Sequence, residues 1–67
     1  MELSEQIHNI RKKRGFTQEA LAQACDVSLP TIRSIEQGQR LPSIALLQTI
    51  AEVLSCELTI TLKPRKT

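Results

Sequence analysis

Aromatic and histidine side chains are scarce in this chain of 67 residues, which has one Phe, one His, and neither Trp nor Tyr. Proteins that hold single-stranded nucleic acid stack its bases on several aromatic rings, and a single Phe cannot form such a surface. The lone His8 and the two cysteines, Cys25 and Cys56, lack the spacing of a zinc site. Because no glycine-rich phosphate loop or nucleophile motif occurs either, we expect no enzyme, no cofactor and no metal.

The chain also lacks a long apolar run and a cysteine framework. Its apolar stretches are much shorter than the ~20 residues of a membrane-spanning helix, and its first residues are polar rather than signal-like. Two cysteines without a secretory signal do not indicate a disulfide scaffold, so we expect both to be reduced. These absences predict a cytoplasmic protein with no membrane partner.

Size limits the fold to one small domain. With 67 residues, of which 40% are hydrophobic, the chain can bury only a modest core. A second copy is therefore a plausible source of further apolar burial.

Basic side chains are grouped, although the net charge is only +2. They lie in the run 11–14, at Arg33 and Arg40, and near the C-terminus at Lys63, Arg65 and Lys66. Most acidic residues lie elsewhere, with Glu36 as the exception. This segregation favours contact with phosphate groups.

Apolar spacing and capping residues predict four helices. We expect them over about 2–14, 18–25 and 29–37, and from residue 44 onward. Thr17, Ser28 and Ser43 precede the second, third and fourth of these helices and can cap them. The fourth helix carries an apolar stripe of Ile44, Leu47, Ile50, Ala51 and Leu54.

The second and third predicted helices are joined by a tight corner. Asp26 lies where the backbone needs a positive φ, which Asp tolerates, and Val27 fills the turn. Pro30 is compatible with the first turn of the third helix, where N–H groups lack helical partners, and leaves Ser28 to cap the N–H of Thr31. Two short helices around such a corner, the second polar and basic on one side, predict a helix-turn-helix.

The C-terminal residues change their pattern. Polar and apolar side chains alternate over 57–63, which predicts a β-strand that ends at Pro64. A lone strand beside helices has no ladder partner, so we expect it to pair with the same strand of a second copy through Leu58, Ile60 and Leu62. The expected organisation is a domain over 1–56, a dimerisation strand over 57–63 and a tail over 64–67.

The small, apolar and capping positions over about 7–54 resemble those of the Cro/phage-repressor helix-turn-helix family, also called the XRE family. They are Gly15-Phe16-Thr17-Gln18, Leu21-Ala22, Val27-Ser28, Thr31-Ile32, Ile35-Glu36-Gln37-Gly38 and Pro42. The resemblance implies an all-α, compact four-helix fold and a bacterial or phage protein that binds double-stranded DNA. The C-terminal strand is similar, more narrowly, to that of HipB-type antitoxins, small dimeric repressors that also hold a toxin.

The resemblance also implies roles for individual residues. Contacts to DNA would come from the beginning of the second helix, from the exposed side of the third helix and from the loop after it. The residues at these positions are Gln18, Ser28, Leu29, Pro30, Thr31, Arg33, Ser34 and Arg40. Arg33 is the candidate for guanine readout, and Leu29 and Pro30 can touch thymine methyl groups. Arg11 and Glu36 would form a salt bridge between the first and third helices.

Three functions fit these features. The first is a homodimeric autorepressor on a pseudo-palindromic operator, and the second is an antitoxin that neutralises a partner protein and can repress as well. The third is a restriction–modification controller or a phage-type repressor. The neighbouring genes would separate these functions, and the sequence does not.

Overall fold

The computed structural model describes residues 2–59 of the chain. Over this range the chain forms helices α1 (Leu3–Lys13), α2 (Gln18–Ala24), α3 (Leu29–Glu36) and α4 (Ile44–Val53). The four predicted helices are confirmed. The first three predicted helices extend one residue too far at four ends, because the residues there are flanking caps rather than helical residues. These caps are Glu2, Arg14, Cys25 and Gln37.

Hydroxyl caps begin three of the helices, as their positions predicted. Thr17 and Ser43 accept hydrogen bonds from the backbone N–H groups of Ala20 and Leu46 at 3.0 and 3.1 Å. Ser28 caps the N–H of Thr31 at 3.3 Å. Each hydroxyl satisfies an N–H group that has no partner within its helix, which fixes where that helix starts.

The core lies where the four helices meet. Leu21, Ile32, Ile35 and Ile50 are its largest fully buried side chains. The small side chain of Ala22 is also buried, which allows α2 and α3 to pack closely. This packing holds the corner between α2 and α3 rigid.

The corner has the backbone conformation that the sequence predicted. Asp26 adopts a φ of 58°, in the left-handed region. The N–H of Val27 then donates to the carbonyl of Ala22 at 3.0 Å, which closes the end of α2. This reversal turns the chain sharply into α3.

The apolar stripe predicted on α4 is buried at only one end. Ile50 and Leu54 are each 2% exposed, whereas Ile44, the first residue of α4, is 63% exposed. The preceding Leu41 is 85% exposed. The first turn of α4 therefore lies at the edge of the core, and Ile44 is the exposed end of the predicted stripe.

The described part of the chain contains helices and loops but no strand. Residues 57–59 have no hydrogen-bonded ladder, and Leu58 instead lines an apolar cavity of about 90 Å³ between α1 and α4. Ile60 and Leu62, with the rest of the predicted strand, lie outside the described residues. The single chain thus does not show the predicted strand, which would need a second strand to bond with.

No helix between residues 2 and 59 is long and apolar enough to span a membrane.

Candidate nucleic-acid interface

Helices α2 and α3 and the four-residue turn between them form the candidate interface. One side of α3 buries Ile32 and Ile35 in the core. Pro30 and Arg33 are exposed on the other side. At 1.5 Å per residue, the eight residues of α3 form a rod about 12 Å long. An α-helix with its side chains is about 10–12 Å in diameter, so α3 fits the major groove of B-DNA, which is about 12 Å wide.

The polar residues at the beginning of α3 also contact one another. The hydroxyl groups of Ser28 and Thr31 lie 2.8 Å apart, and Ser28 is exposed while Thr31 is half-buried. Leu29 and Ser34 are half-buried beside them. The structure thus places these side chains at the N-cap and in the first two turns of α3.

Two further predicted contact residues flank α3. Gln18 is half-buried at the first position of α2, and Arg40 is exposed in the loop after α3. Arg40 borders an open groove between this loop and the beginning of α1. Gln18 is thus presented by α2 and Arg40 by the loop after α3, rather than by α3 itself.

Glu36 is the last residue of α3, and its carboxylate accepts hydrogen bonds from side chains of α1 and α2. Arg11 donates from Nε to Oε2 of Glu36 at 2.7 Å and from Nη2 to Oε1 at 3.1 Å. Side-chain exposure is 8% for Arg11 and 3% for Glu36. The ion pair that the family resemblance implied is therefore present, with the two-point geometry that favours an arginine over a lysine.

Two other side chains reach the same carboxylate. His8 Nδ1 lies 2.9 Å from Oε1 of Glu36, and Gln18 Nε2 donates to that oxygen at 3.3 Å. Sequence reasoning missed both contacts. The available signal was that His8 precedes Arg11 by three residues, so the two share one side of α1. Arg11 also donates to the carbonyl of Phe16 at 2.7 Å, which ties α1 to the turn before α2.

Burial and hydrogen bonding act in opposite directions on Glu36. Burial raises the pKa of this carboxyl, but hydrogen bonds from Arg11, His8 and Gln18, with the charge of Arg11, lower it further than burial raises it. The net effect is a pKa below the ordinary value. Glu36 therefore remains ionised at neutral pH, and Arg11 compensates its charge, so that it repels phosphate little.

The basic run at the end of α1 has more than one role. Arg11 is buried, while Lys12, Lys13 and Arg14 are exposed. Arg14 donates from Nη2 to the carbonyl of Ser55 at 3.3 Å, which joins the end of α1 to the end of α4. Lys12 and Lys13 are therefore the members of this run best placed for solvent or phosphate.

Two short helices held at a rigid corner, the second with one side buried and the other free, define a helix-turn-helix module of the kind used by DNA-binding transcription regulators. Residues 7–60 match the family model HTH_3, described as helix-turn-helix. The chain belongs to this family.

Relatives support the same class of protein. The chain is 45% identical over 49 residues to an uncharacterized HTH-type transcriptional regulator, YazB, of Bacillus subtilis, covering 73% of this chain and 71% of the relative. It is 33% identical over 51 residues to the HTH-type transcriptional regulator DdrOP3 of Deinococcus deserti, covering 76% of this chain but 40% of the relative. These relatives are named as regulators, not as enzymes.

A solved structure shows the same fold. The crystal structure of an HTH_3 family transcriptional regulator from Vibrio cholerae matches with a TM-score of 0.75 and 38% sequence identity. The match covers 82% of this chain and 31% of the Vibrio chain. The chain thus spans less than half of that protein and of the Deinococcus relative.

Proposed function

We propose that this chain is a homodimeric, sequence-specific repressor that binds double-stranded DNA and regulates its own operon. The free side of α3 carries the proposal. Arg33 is exposed there, while Ile32 and Ile35 anchor the opposite side in the core. A rigid, major-groove-sized helix with one free arginine suits direct readout of base edges.

The proposed contacts divide into base readout and phosphate contact. Arg33 would read guanine through O6 and N7, and Leu29 and Pro30 would touch thymine methyl groups. Ser28, Thr31 and Ser34 would contact phosphates or neighbouring bases, and Arg40 the backbone or minor groove. Gln18 would approach a phosphate or a base from the beginning of α2. Because α3 has few side chains that can hydrogen-bond to bases, DNA shape would contribute to specificity.

The proposed dimer uses the alternating segment 57–63. Pairing of this segment between two copies would satisfy the strand edge that one chain leaves open, with Leu58, Ile60 and Leu62 on one face. Two α3 helices about 34 Å apart would then read a pseudo-palindromic operator. The chain would divide into a DNA-binding domain over 1–56, this strand and a tail over 64–67.

A selection from random duplexes, followed by salt-titrated gel shifts, tests DNA recognition. We expect a recovered palindrome with half-sites one turn apart, and an affinity that falls steeply with salt as counterions are released. Failure to enrich any sequence would contradict the proposal.

Two arginine variants then separate base readout from phosphate contact. Arg33→Ala should relax preference at one position per half-site, by about 1–3 kcal/mol for a two-point contact. Arg40→Ala, the matched control, should weaken binding to all sequences alike. A uniform loss for Arg33→Ala would refute its role in base readout.

Sedimentation of strand variants tests the dimer. Ile60→Asp would place a charge on the apolar face of the paired strands and should produce monomers. Thr61→Asp, on the opposite face of the predicted strand, serves as the control and should leave the dimer intact. An unchanged dimer with Ile60→Asp would place the interface elsewhere.

An antitoxin role rests on the same C-terminal pattern. The polar and apolar alternation after α4 is the feature shared with HipB-type antitoxins, so we propose a toxin as a second partner. Co-purification of this chain with the product of an adjacent gene would support that role, and a gene neighbourhood without such a product would count against it.

A further inference from the structure

The two oxygens of Glu36 are unequally occupied. Oε2 accepts one hydrogen bond, from Arg11 Nε at 2.7 Å. Oε1 lies 2.9 Å from His8 Nδ1, 3.1 Å from Arg11 Nη2 and 3.3 Å from Gln18 Nε2. One buried oxygen therefore connects two residues of α1 to the first residue of α2.

The geometry determines which nitrogen of His8 carries a hydrogen. An ionised carboxylate only accepts hydrogen bonds, so a contact of 2.9 Å to Glu36 requires Nδ1–H. Arg11 Nη2 lies 3.3 Å from the same nitrogen, but a protonated Nδ1 cannot accept from it. His8 is thus a donor to Glu36 through Nδ1, whether its ring is neutral or charged.

The same reasoning orients the side-chain amide of Gln18. Its Nε2 faces the carboxylate, because its carbonyl oxygen would meet a second acceptor there. One N–H and the carbonyl of Gln18 remain for other partners. The Glu36 carboxylate thus determines which groups Gln18 can offer at the beginning of α2.

We propose that His8 is a positioning residue for DNA binding, acting through Glu36 on Gln18. This inference rests on the proposed function, in which Gln18 contacts DNA. The His8 side chain is 45% exposed, and the Glu36 side chain that it contacts is only 3% exposed. His8 therefore both shields the carboxylate from water and fixes Oε1, so that Gln18 is held in one orientation before DNA arrives. Such preorganisation reduces the ordering cost of binding.

NMR of the protein without DNA tests the first part of the inference. His8 is the only histidine, so the long-range proton–nitrogen correlations of its ring need no assignment by mutation. In the neutral ring we expect the hydrogen on Nδ1. A hydrogen on Nε2 alone would overturn the proposal, because Nδ1 would then have nothing to donate.

A double-mutant cycle tests the connection to DNA, using the duplex recovered by selection. His8→Ala should weaken binding about three- to tenfold, a typical range for coupled neighbours. In the Gln18→Ala background, His8→Ala should cause no further loss. Equal losses in both backgrounds would overturn the inference, since His8 would then act independently of Gln18.

Two conservative variants keep the test informative if His8→Ala unfolds. His8→Asn places an amide N–H near the position of Nδ1 and should restore most of the affinity, whereas His8→Gln reaches toward Nε2 and should not. Equal affinity of these two variants would contradict the proposal. A wild-type chain that binds no duplex would overturn the proposed function and this inference together, whereas specific wild-type binding with an additive cycle would overturn the inference alone.

Discussion

Two regions of this molecule are stabilised differently: the corner between α2 and α3, and the beginning of α4. At the corner between α2 and α3, buried isoleucines and leucine lie next to a carboxylate that receives donors from His8, Arg11 and Gln18. At the beginning of α4, Leu41 and Ile44 are large apolar side chains left 85% and 63% exposed. The corner buries its large apolar side chains within one chain, whereas the beginning of α4 leaves apolar surface exposed.

This difference separates two requirements of a small DNA-binding domain. A helix proposed to read base edges binds at a lower ordering cost when it is already held in place, and the hydrogen bonds of Glu36 tie α3 to α1 and α2. Exposed apolar side chains cost little individually, but grouped ones often mark contact surfaces. We therefore expect substitutions at the corner to act on the folding of one chain, and substitutions at the edge of α4 to act little on it.

The largest expected effect comes from breaking the ion pair at the corner. Glu36→Ala leaves Arg11 buried without its partner and should reduce the free energy of unfolding by about 3–5 kcal/mol. Such a loss approaches the whole stability of a domain this size. Chemical denaturation measures the change, with Glu52→Ala, an exposed carboxylate on α4, as the control. Similar small losses for both variants would mean that the corner does not depend on its ion pair.

Two isoleucines of α4 test the comparison within one helix. Ile50→Ala should cost about 2–5 kcal/mol, because it opens a cavity in the core. Ile44→Ala, the same change at an exposed site, should cost far less. Both variants should be unfolded at one protein concentration, since the proposed dimerisation would shift apparent stability. Equal losses would show that Ile44 is buried in the folded protein in solution.

The pH dependence of stability gives a smaller effect at the corner. The pKa of Glu36 is lower in the folded chain, so its contribution to stability is fully present above the unfolded pKa, which is about 4.5. That contribution is lost as pH falls through the lower folded pKa. We expect the free energy of unfolding to decrease more steeply below about pH 4 in the wild type than in Glu36→Gln. Equal slopes would contradict the lowered pKa.

Local signals made the corner predictable from the sequence. The positive φ of Asp26 and the hydroxyl caps each depend on residues a few positions apart. The caps are Thr17 and Ser28 at the corner and, in the same way, Ser43 before α4. The contact of His8 with Glu36 spans 28 residues, and the spacing of His8 and Arg11 indicates only that these two side chains share one side of α1. The exposure of Ile44 was missed because helical periodicity gives the direction of a side chain but not the extent of the core. Residues 57–59 were predicted as strand from alternation, but a strand also needs a partner.

A substitution at Ser55 is expected to have the smallest effect on stability. It compares the end of α4 with the end of α2 at the corner. All four described helices end in the same way, with a residue of positive φ after the cap. This residue is glycine after α1 and α3, Asp26 after α2 and Ser55 after α4. Asp can hydrogen-bond locally in this conformation, whereas Ser55, with a φ of 57°, carries the strain of a side chain there.

Ser55→Gly should therefore raise the free energy of unfolding by about 0.5–1 kcal/mol, the relief of strain less the added freedom of the unfolded chain. Its carbonyl, which accepts from Arg14, is unchanged by the substitution. Asp26→Gly should change stability less, because Asp tolerates the left-handed region. Gln48→Gly, within α4, should instead lower stability by about 1 kcal/mol. If Ser55→Gly were destabilising like Gln48→Gly, residue 55 would not hold a left-handed conformation in solution, and the end of α4 would differ from the other three helix ends.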